Sequence, residues 1–413
     1  MKILILAAGR SSRFKGAGSK VLVNFWGSRV IDILIDKAQK AGQVYLMVND
    51  EIDAQVQHAN KIVQDMAKYG TGAALQHYFA QHLDDDVLVI PGDLPLIDNS
   101  AIEKICSAAG DIVVGVMQMP EGAERYGRVM LDDKSNVKEI IEYQFHEAKT
   151  MFANTGVMLI RKSAQYLIPQ LQVNSANETY LTDIVKLANE SGLNVGIARL
   201  AHDCALGFND IEELNYLLQL AQTKWRVQAL KSGAIFYDIE SVYLSHDTKI
   251  EAGAVIEPNC VFSPCVHIKS NANIKAFSVL SDCVVDGVVG PFAHIKSGEI
   301  DNTAHVGAFV EVSKSHIQTG AKIKHLADIG NAEIGSKSNI GAGVVLCNYD
   351  GKNKHDTKIG NNVMVGANSS LVAPIEIGDN AFLAAGGVYT QNVQAQEFAI
   401  ARTKQENRVK REK

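Results

Sequence analysis

Residues 359–383 read IGNNVMVGANSSLVAPIEIGDNAFL, and in them Ile359, Val365, Leu371, Ile377 and Leu383 fall six apart. The same interval separates Ile250, Ile256, Phe262, Ile268, Ile274 and Leu280 upstream. A coiled coil repeats its apolar positions about every seven residues and a globular helix about every 3.6, so neither accounts for this period. A parallel β-helix does: each hexad supplies one short strand and a corner, and the aliphatic side chains stack inward into a continuous core. A small residue often follows the aliphatic one, as in Ile334-Gly335, Ile340-Gly341, Ile359-Gly360, Val365-Gly366 and Ile377-Gly378. Between the two runs the hexads shift frame (Val289 and Ile295, Val306 and Val312, Ile323 and Ile329), which reads as turns or insertions offsetting the register. Cys347 to Lys358 breaks the rhythm and reads as a loop thrown out of the solenoid, the kind of segment that carries function.

Working towards the amino terminus, the solenoid is preceded by a stretch in which Leu214, Leu217, Leu218, Ala221 and Trp225 share one face of a long helix. Before it the pattern changes again. Short apolar runs at Lys2–Ala7, Val44–Asn49, Val87–Pro91, Ile112–Met117 and Val157–Ile160 alternate with helical segments at Val30–Ala41, Ala73–His82 and Leu181–Asn189. That alternation predicts βα units around a mainly parallel sheet, with a ligand site built from loops at the strands' carboxyl ends. The expected divisions are an α/β domain over 1–210, a connecting helix over 211–232, the solenoid over 233–401 and a basic tail over 402–413.

The 413 residues are 46% hydrophobic and 21% charged, with 40 Lys+Arg against 46 Asp+Glu for a net charge of −6. This balance argues against disorder and against nonspecific nucleic-acid binding by the whole chain. No apolar run is long enough for a membrane span, and the opening Ile3–Ala8 run is too short for a signal peptide, so the cytoplasm is expected. The six cysteines form no CxxC pair, which indicates neither a zinc site nor a disulfide framework. The tail reads as solvated, or as a contact for a phosphorylated ligand.

Two segments of the first half suggest chemistry. Leu6-Ala7-Ala8-Gly9-Arg10-Ser11-Ser12-Arg13-Phe14 leaves the first strand through a Gly- and Ser-containing turn, followed by Lys20. Such a turn offers backbone N–H groups to phosphate, and Arg13 and Lys20 add charge for a phosphoryl transition state. The bland alternative is a strand-to-helix turn with solvated basic residues. Val87–Asp93 is a strand ending on a carboxylate, and Asp93 is either a ligand for Mg²⁺ or a turn former.

With the further pieces Gln64, Gly70-Thr71-Gly72, PGDLPL, Tyr126-Gly127-Arg128, Ile141-Glu142, Asn154-Thr155-Gly156, Tyr180-Leu181-Thr182-Asp183 and Gly207-Phe208-Asn209, nearly the whole chain resembles a known bacterial family. It is the bifunctional glucosamine-1-phosphate N-acetyltransferase and N-acetylglucosamine-1-phosphate uridyltransferase family. The resemblance implies a Rossmann-like α/β nucleotidyltransferase domain followed by a left-handed parallel β-helix, and a homotrimer whose acetyl-transfer sites form between adjacent solenoids. It implies that Arg13 and Lys20 engage the triphosphate of UTP in the turn Leu6, Ala7, Ala8 and Gly9. Gln64, Gly70 and Thr71 would then recognise uracil, Gly127, Glu142 and Asn154 the sugar of N-acetylglucosamine-1-phosphate, and Asp93 and Asn209 would share Mg²⁺.

In the second half Phe309-Val310-Glu311, Lys324-His325-Leu326 and Cys347-Asn348-Tyr349-Asp350-Gly351 carry the likeness. They imply that His325 is the general base for attack of glucosamine-1-phosphate on acetyl-CoA and that Glu311 orients its imidazole. Lys296, Lys314, Asn339, Asn348, Tyr349 and Lys354 would bind the amino-sugar phosphate. Ala367, Ala385 and Arg402 would contact acetyl-CoA. The chain departs from the family pattern at Ser11, Ser19, Lys296, Ser313, Asp328 and Ala367. Ser313 and Asp328 favour an alternative in which uridyl transfer is kept and the solenoid is a trimerisation scaffold with a degenerate or redirected acetyl site. A non-enzymatic solenoid binding protein is the third possibility.

Overall fold

The computed structural model describes all residues except 10–13, 15–17, 66, 83–84, 120–125, 134, 143–149, 175–176 and 408–413. The chain divides into two compact units, Met1–Ala221 and Gln222–Lys413.

In the first unit, strands β1 (Lys2–Leu6), β2 (Gln43–Val48) and β3 (Lys61–Val63) pair in parallel, and β4 (Val87–Pro91) pairs in parallel with the other edge of β1. The sheet continues through β5 (Ile112–Gln118) and β6 (Phe152–Ile160) to β7 (Val195–Arg199), in the order β7-β5-β6-β4-β1-β2-β3. Strand β6 runs antiparallel to both β4 and β5, and every other pair on this path is parallel. Ile3, Leu4 and Ile5 have no exposed surface, as near-continuous apolar runs in a sheet covered on both faces require. The strand order reverses at β1, so the carboxyl ends of β1 and β4 form the crevice where a doubly wound sheet holds its ligand. Helix α1 (Val30–Gln39) buries Ile31, Ile33 and Leu34, and helix α2 (Thr71–Phe79) starts beside that crevice.

The solenoid of the second unit is three parallel faces. Its core is three stacked columns, each read directly from the strand register. One column is Ile256, Ile274, Val289, Val306, Ile323, Ile340, Val365 and Leu383. The second runs Ile250, Ile268, Val285, Ile300, Ile317, Ile334, Ile359 and Ile377. The third includes Phe262, Leu280, Ile295, Val312 and Ile329, and higher up Leu346, Leu371 and Tyr389. The glycines after the aliphatic residues sit where rungs touch: a Cβ on Gly366 would lie 2.3 Å from Ala385 N.

The frame shifts have a different origin from the turns or insertions expected. The steps Ile295 to Ile300, Val312 to Ile317 and Ile329 to Ile334 each turn the corner in five residues instead of six. Ser297, Lys314 and Asn331 take φ values of 54°, 47° and 53° at these corners. The true insertion lies between Val345–Cys347 and Thr357–Ile359, at the expected loop.

Helix α3 (Ile211–Lys231) crosses the division between the units. In the first unit Leu214, Leu217 and Ala221 are buried, and Trp26 Nε1 donates to Leu218 O at 2.9 Å. In the second, buried Gln222 exchanges two hydrogen bonds with the Leu244 backbone, of 2.7 and 3.0 Å, and Trp225 packs on the solenoid core.

Candidate active sites

At the end of β1, Ala7 N donates to Met47 O and Gly92 N donates to Leu6 O at 2.9 Å. A Cβ on Gly92 would stand 2.7 Å from that same Leu6 oxygen. Only a residue without a side chain lets the Pro91-Gly92-Asp93 turn rest on β1, and the turn in that position delivers Asp93. Lys20, which opens the short 3₁₀ turn Lys20–Leu22, pairs with the Asp93 carboxylate. Its Nζ also donates to Phe208 O at 3.0 Å and to Asn209 Oδ1 at 3.4 Å. Glu213 fixes Asn209 by accepting from its backbone N–H at 2.6 Å. A carboxylate oxygen and an amide oxygen therefore converge on one cation, and two hard oxygen donors of this kind fit Mg²⁺.

The remaining walls come from three local devices. Gly70, at φ +113°, lets the chain pass so near Thr179 that a Cβ would lie 2.3 Å from its oxygen. Thr71 Oγ1 then accepts from Leu181 N at 3.0 Å at the start of α2. Buried Gln64 donates to Lys68 O at 3.1 Å and Gly70 O at 3.4 Å. The register of β6 slips between Asn154 and Met158, where Gly156 takes φ +77° and donates to Asn154 Oδ1 at 3.0 Å. Glu142 accepts from Thr182 Oγ1 at 2.9 Å. Burial pushes the Glu142 carboxyl above its ordinary value, the Thr182 hydrogen bond opposes this, and the charge of Asp183 adds to it.

Together these elements enclose a cavity of about 330 Å³ whose lining includes Leu6, Ala7, Ala8, Gly9, Lys20, Gln64, Gly70, Thr71, Asp93, Glu142 and Asn154. Gly127 stands behind the lining, its Cβ position 3.5 Å from Glu142 Oε2, and Asn209 joins through Lys20. Arg13 lies outside the described residues. Sequence reasoning gave no role to Tyr180, Thr182 or Met158, which also line the cavity. Thr182 stood within a quoted motif. The signal for Glu213 was its i, i+4 spacing from Asn209.

On the solenoid, His325 is exposed at the end of the strand Lys322–His325, in register with Ala308. Glu311 lies in register between His294 and Asp328, with its carboxylate 3.8 Å from His294 Nδ1. Within one chain the carboxylate expected to orient His325 instead faces His294. Burial raises the Asp328 carboxyl and the neighbouring Glu311 charge raises it further, while Lys354 opposes both. Lys296 pairs in register with Ser313, whereas Lys314 turns at its corner into a separate depression with Glu299 and His316.

Asn339 Nδ2 donates to Met364 Sδ, and Asn348 Nδ2 donates to Asn331 Oδ1 at 3.1 Å. The loop beyond Asn348 is a small hairpin bridged at Tyr349 and Lys354. Asp350 holds it by accepting from Asn353 N at 2.6 Å, His355 Nε2 at 2.7 Å and Lys352 N at 2.8 Å. These bonds lower its carboxyl to about 2. Ala367, Ala385 and Arg402 are neighbours: Gly386 N donates to Ala367 O, and the Arg402 guanidinium donates to Ala385 O.

Residues 3–172 match the MobA-like NTP transferase domain, and residues 356–388 match the bacterial transferase hexapeptide repeats. The chain is 35% identical to the bifunctional protein GlmU of Bartonella quintana, over 97% of this chain and 94% of that protein. It is 35% identical to the GlmU of Wolbachia pipientis wMel, over 97% of each chain. This chain belongs to the GlmU family. Another GlmU, from Agrobacterium fabrum, is 37% identical over 98% of this chain and 93% of its own length. In this chain the NTP-transferase match and the hexapeptide match occur together in one polypeptide. The first unit of this GlmU-family enzyme holds the cavity, and its second is the hexapeptide solenoid.

Proposed function

We propose that the chain makes UDP-N-acetylglucosamine in two transfers, acetyl from acetyl-CoA to glucosamine-1-phosphate and then uridyl from UTP to N-acetylglucosamine-1-phosphate with release of pyrophosphate. The convergence of Lys20, Asp93 and Asn209 at the carboxyl ends of β1 and β4 carries the reading. In it Gln64, Gly70 and Thr71 receive the uracil, Gly127, Glu142 and Asn154 hold the sugar, and Lys20 with Arg13 offsets charge on the phosphates during in-line displacement. Mg²⁺ held by Asp93 and Asn209 supplies further neutralisation of the phosphate oxygens when bound. His325 takes the amine proton in the acetyl transfer, a role suited to an imidazole near neutral pH. The enzyme acts as a cytoplasmic homotrimer.

One observation favours a second reading. The adjoining Glu311 and Asp328 carboxylates would repel a sugar phosphate, as expected if acetyl transfer is lost or redirected. A paired assay separates the two. Purified protein receives UTP, Mg²⁺ and N-acetylglucosamine-1-phosphate with pyrophosphate detection, then acetyl-CoA and glucosamine-1-phosphate with free-thiol detection. Both products, with thiol release alone abolished in His325→Ala, support the bifunctional reading. Pyrophosphate without thiol supports the second, and silence in both rejects each.

A further inference from the structure

On the face of the solenoid where Lys314 turns at its corner, strand register brings unlike donors together. Glu299 and His316 are direct neighbours on adjacent rungs. Asp301, two residues after Glu299, accepts from the same imidazole, its Oδ1 lying 3.0 Å from His316 Nε2. One ligand atom from each of Glu299, Asp301 and His316 lies within 4.8 Å of the others. The intervening Ile300 and Ile317 are buried in the second core column, so the backbones that carry the donors are held by the solenoid itself. The Glu299 carboxylate takes no side-chain hydrogen bond or ion pair among the described residues. Two carboxylates stand beside one imidazole, and none of the three forms an ion pair with a Lys or Arg among the described residues. Lys314 lines the same depression as Glu299 and His316 but forms no ion pair with any of the three, and Lys358 pairs with Glu376 at 3.7 Å. Glu333, on the other side of His316 in the ladder, is occupied by Gln318 Nε2 at 2.9 Å.

We propose that Glu299, Asp301 and His316 form a site for a divalent transition-metal ion, best filled by Zn²⁺ with water as the fourth ligand. Imidazole selects for such ions over Mg²⁺ and Ca²⁺, which prefer all-oxygen shells. Zinc bonds of about 2.0–2.2 Å place tetrahedral ligands roughly 3.4 Å apart. Glu299 is exposed, so its side chain is free of core packing as it approaches that spacing. This site is separate from Asp93 and Asn209, which offer oxygen alone.

The test is equilibrium dialysis of the full-length, chelator-stripped protein against Zn²⁺ with metal analysis, in an Asp93→Asn background that removes the other carboxylate able to bind. One Zn²⁺ per chain is expected, with affinity falling at least ~10-fold in His316→Gln and in Glu299→Gln, as loss of a ligand does. A rise in melting temperature with Zn²⁺, present in the Asp93→Asn protein and absent in its His316→Gln derivative, gives a second readout on folded material. Cys265 lines the same depression, so no bound Zn²⁺, unchanged binding in the His316→Gln protein, or loss of binding in Cys265→Ser with retention in His316→Gln would each overturn the assignment.

Discussion

Replacing Gly92 by alanine tests the link between backbone contact and chemistry. The added Cβ would lie 2.7 Å from Leu6 O, whereas ordinary van der Waals contact begins at 3.4 Å. The obstacle is a backbone atom at the end of a strand whose three central residues are fully buried, so the turn must yield, by about 0.7 Å. Gly92 N also donates to that oxygen at 2.9 Å, which ties the displacement to a weakened hydrogen bond. Asp93 is the next residue and moves with the turn. A misplacement near 1 Å at a reacting centre costs roughly 10²-fold in rate, so pyrophosphate release in Gly92→Ala should fall by about that factor. Gly42→Ala is the control. Its Cβ meets Met1 O at 2.6 Å, a comparable clash at the opposite end of β1. It should lower stability and leave the specific activity of folded protein intact. Steady-state pyrophosphate assays with circular dichroism melts read both. A folded Gly92→Ala protein within about threefold of the parent rate would refute the reasoning, as would equal rate losses in the two variants.

Three further outcomes follow from burial and titration. Ile323→Ala, at a fully buried position in the first solenoid column, should cost about 2–5 kcal/mol in urea unfolding of the second unit, and a change below about 1 kcal/mol would contradict the column packing. The Glu142 carboxyl is raised from 4.5 in the folded protein, so its stabilising contribution is full below that value and is lost as pH rises through the higher folded value. Glu142→Gln should therefore lose less stability than the parent as pH rises above 4.5, and parallel unfolding curves would exclude this. Asp350 should titrate by NMR near 2 instead of 3.8, its hairpin bonds persisting above 3.8 and fading as pH falls through 2; a midpoint near 3.8 would mean that the hairpin does not hold in solution.

The solenoid was legible because each aliphatic residue of a hexad serves one physical purpose, facing inward. Ile250, Ile256 and Phe262 are successive faces of one rung, and the six-residue spacing is the side of the triangle. The five-residue corners were not legible, since Ser297, Lys314 and Asn331 adopt positive φ without glycine and announce nothing in sequence. In the first unit, five strands were evident from apolar runs, but the short edge strands β3 and β7 were not, and neither was the reversed direction of β6, because direction leaves no mark on composition. Lys20, Asp93 and Asn209 were expected together, yet their meeting depends on Gly92 and Gly207 approaching other backbone or carboxylate atoms. The neighbours of Glu311 within the chain, His294 and Asp328, were not legible, because register alone decides them.

The outward hairpin between Cys347 and Thr357 is fastened at both ends by members of adjacent core columns, Leu346 and Ile359, which keep step with the rungs on either side. Apart from the Asn348 hydrogen bond to Asn331, its length and outer side chains are thus uncoupled from the pillar beneath. The hairpin behaves as an exchangeable cassette: new recognition elements can be spliced between those two anchors and raised at a fixed height, while the prism carries them without repacking.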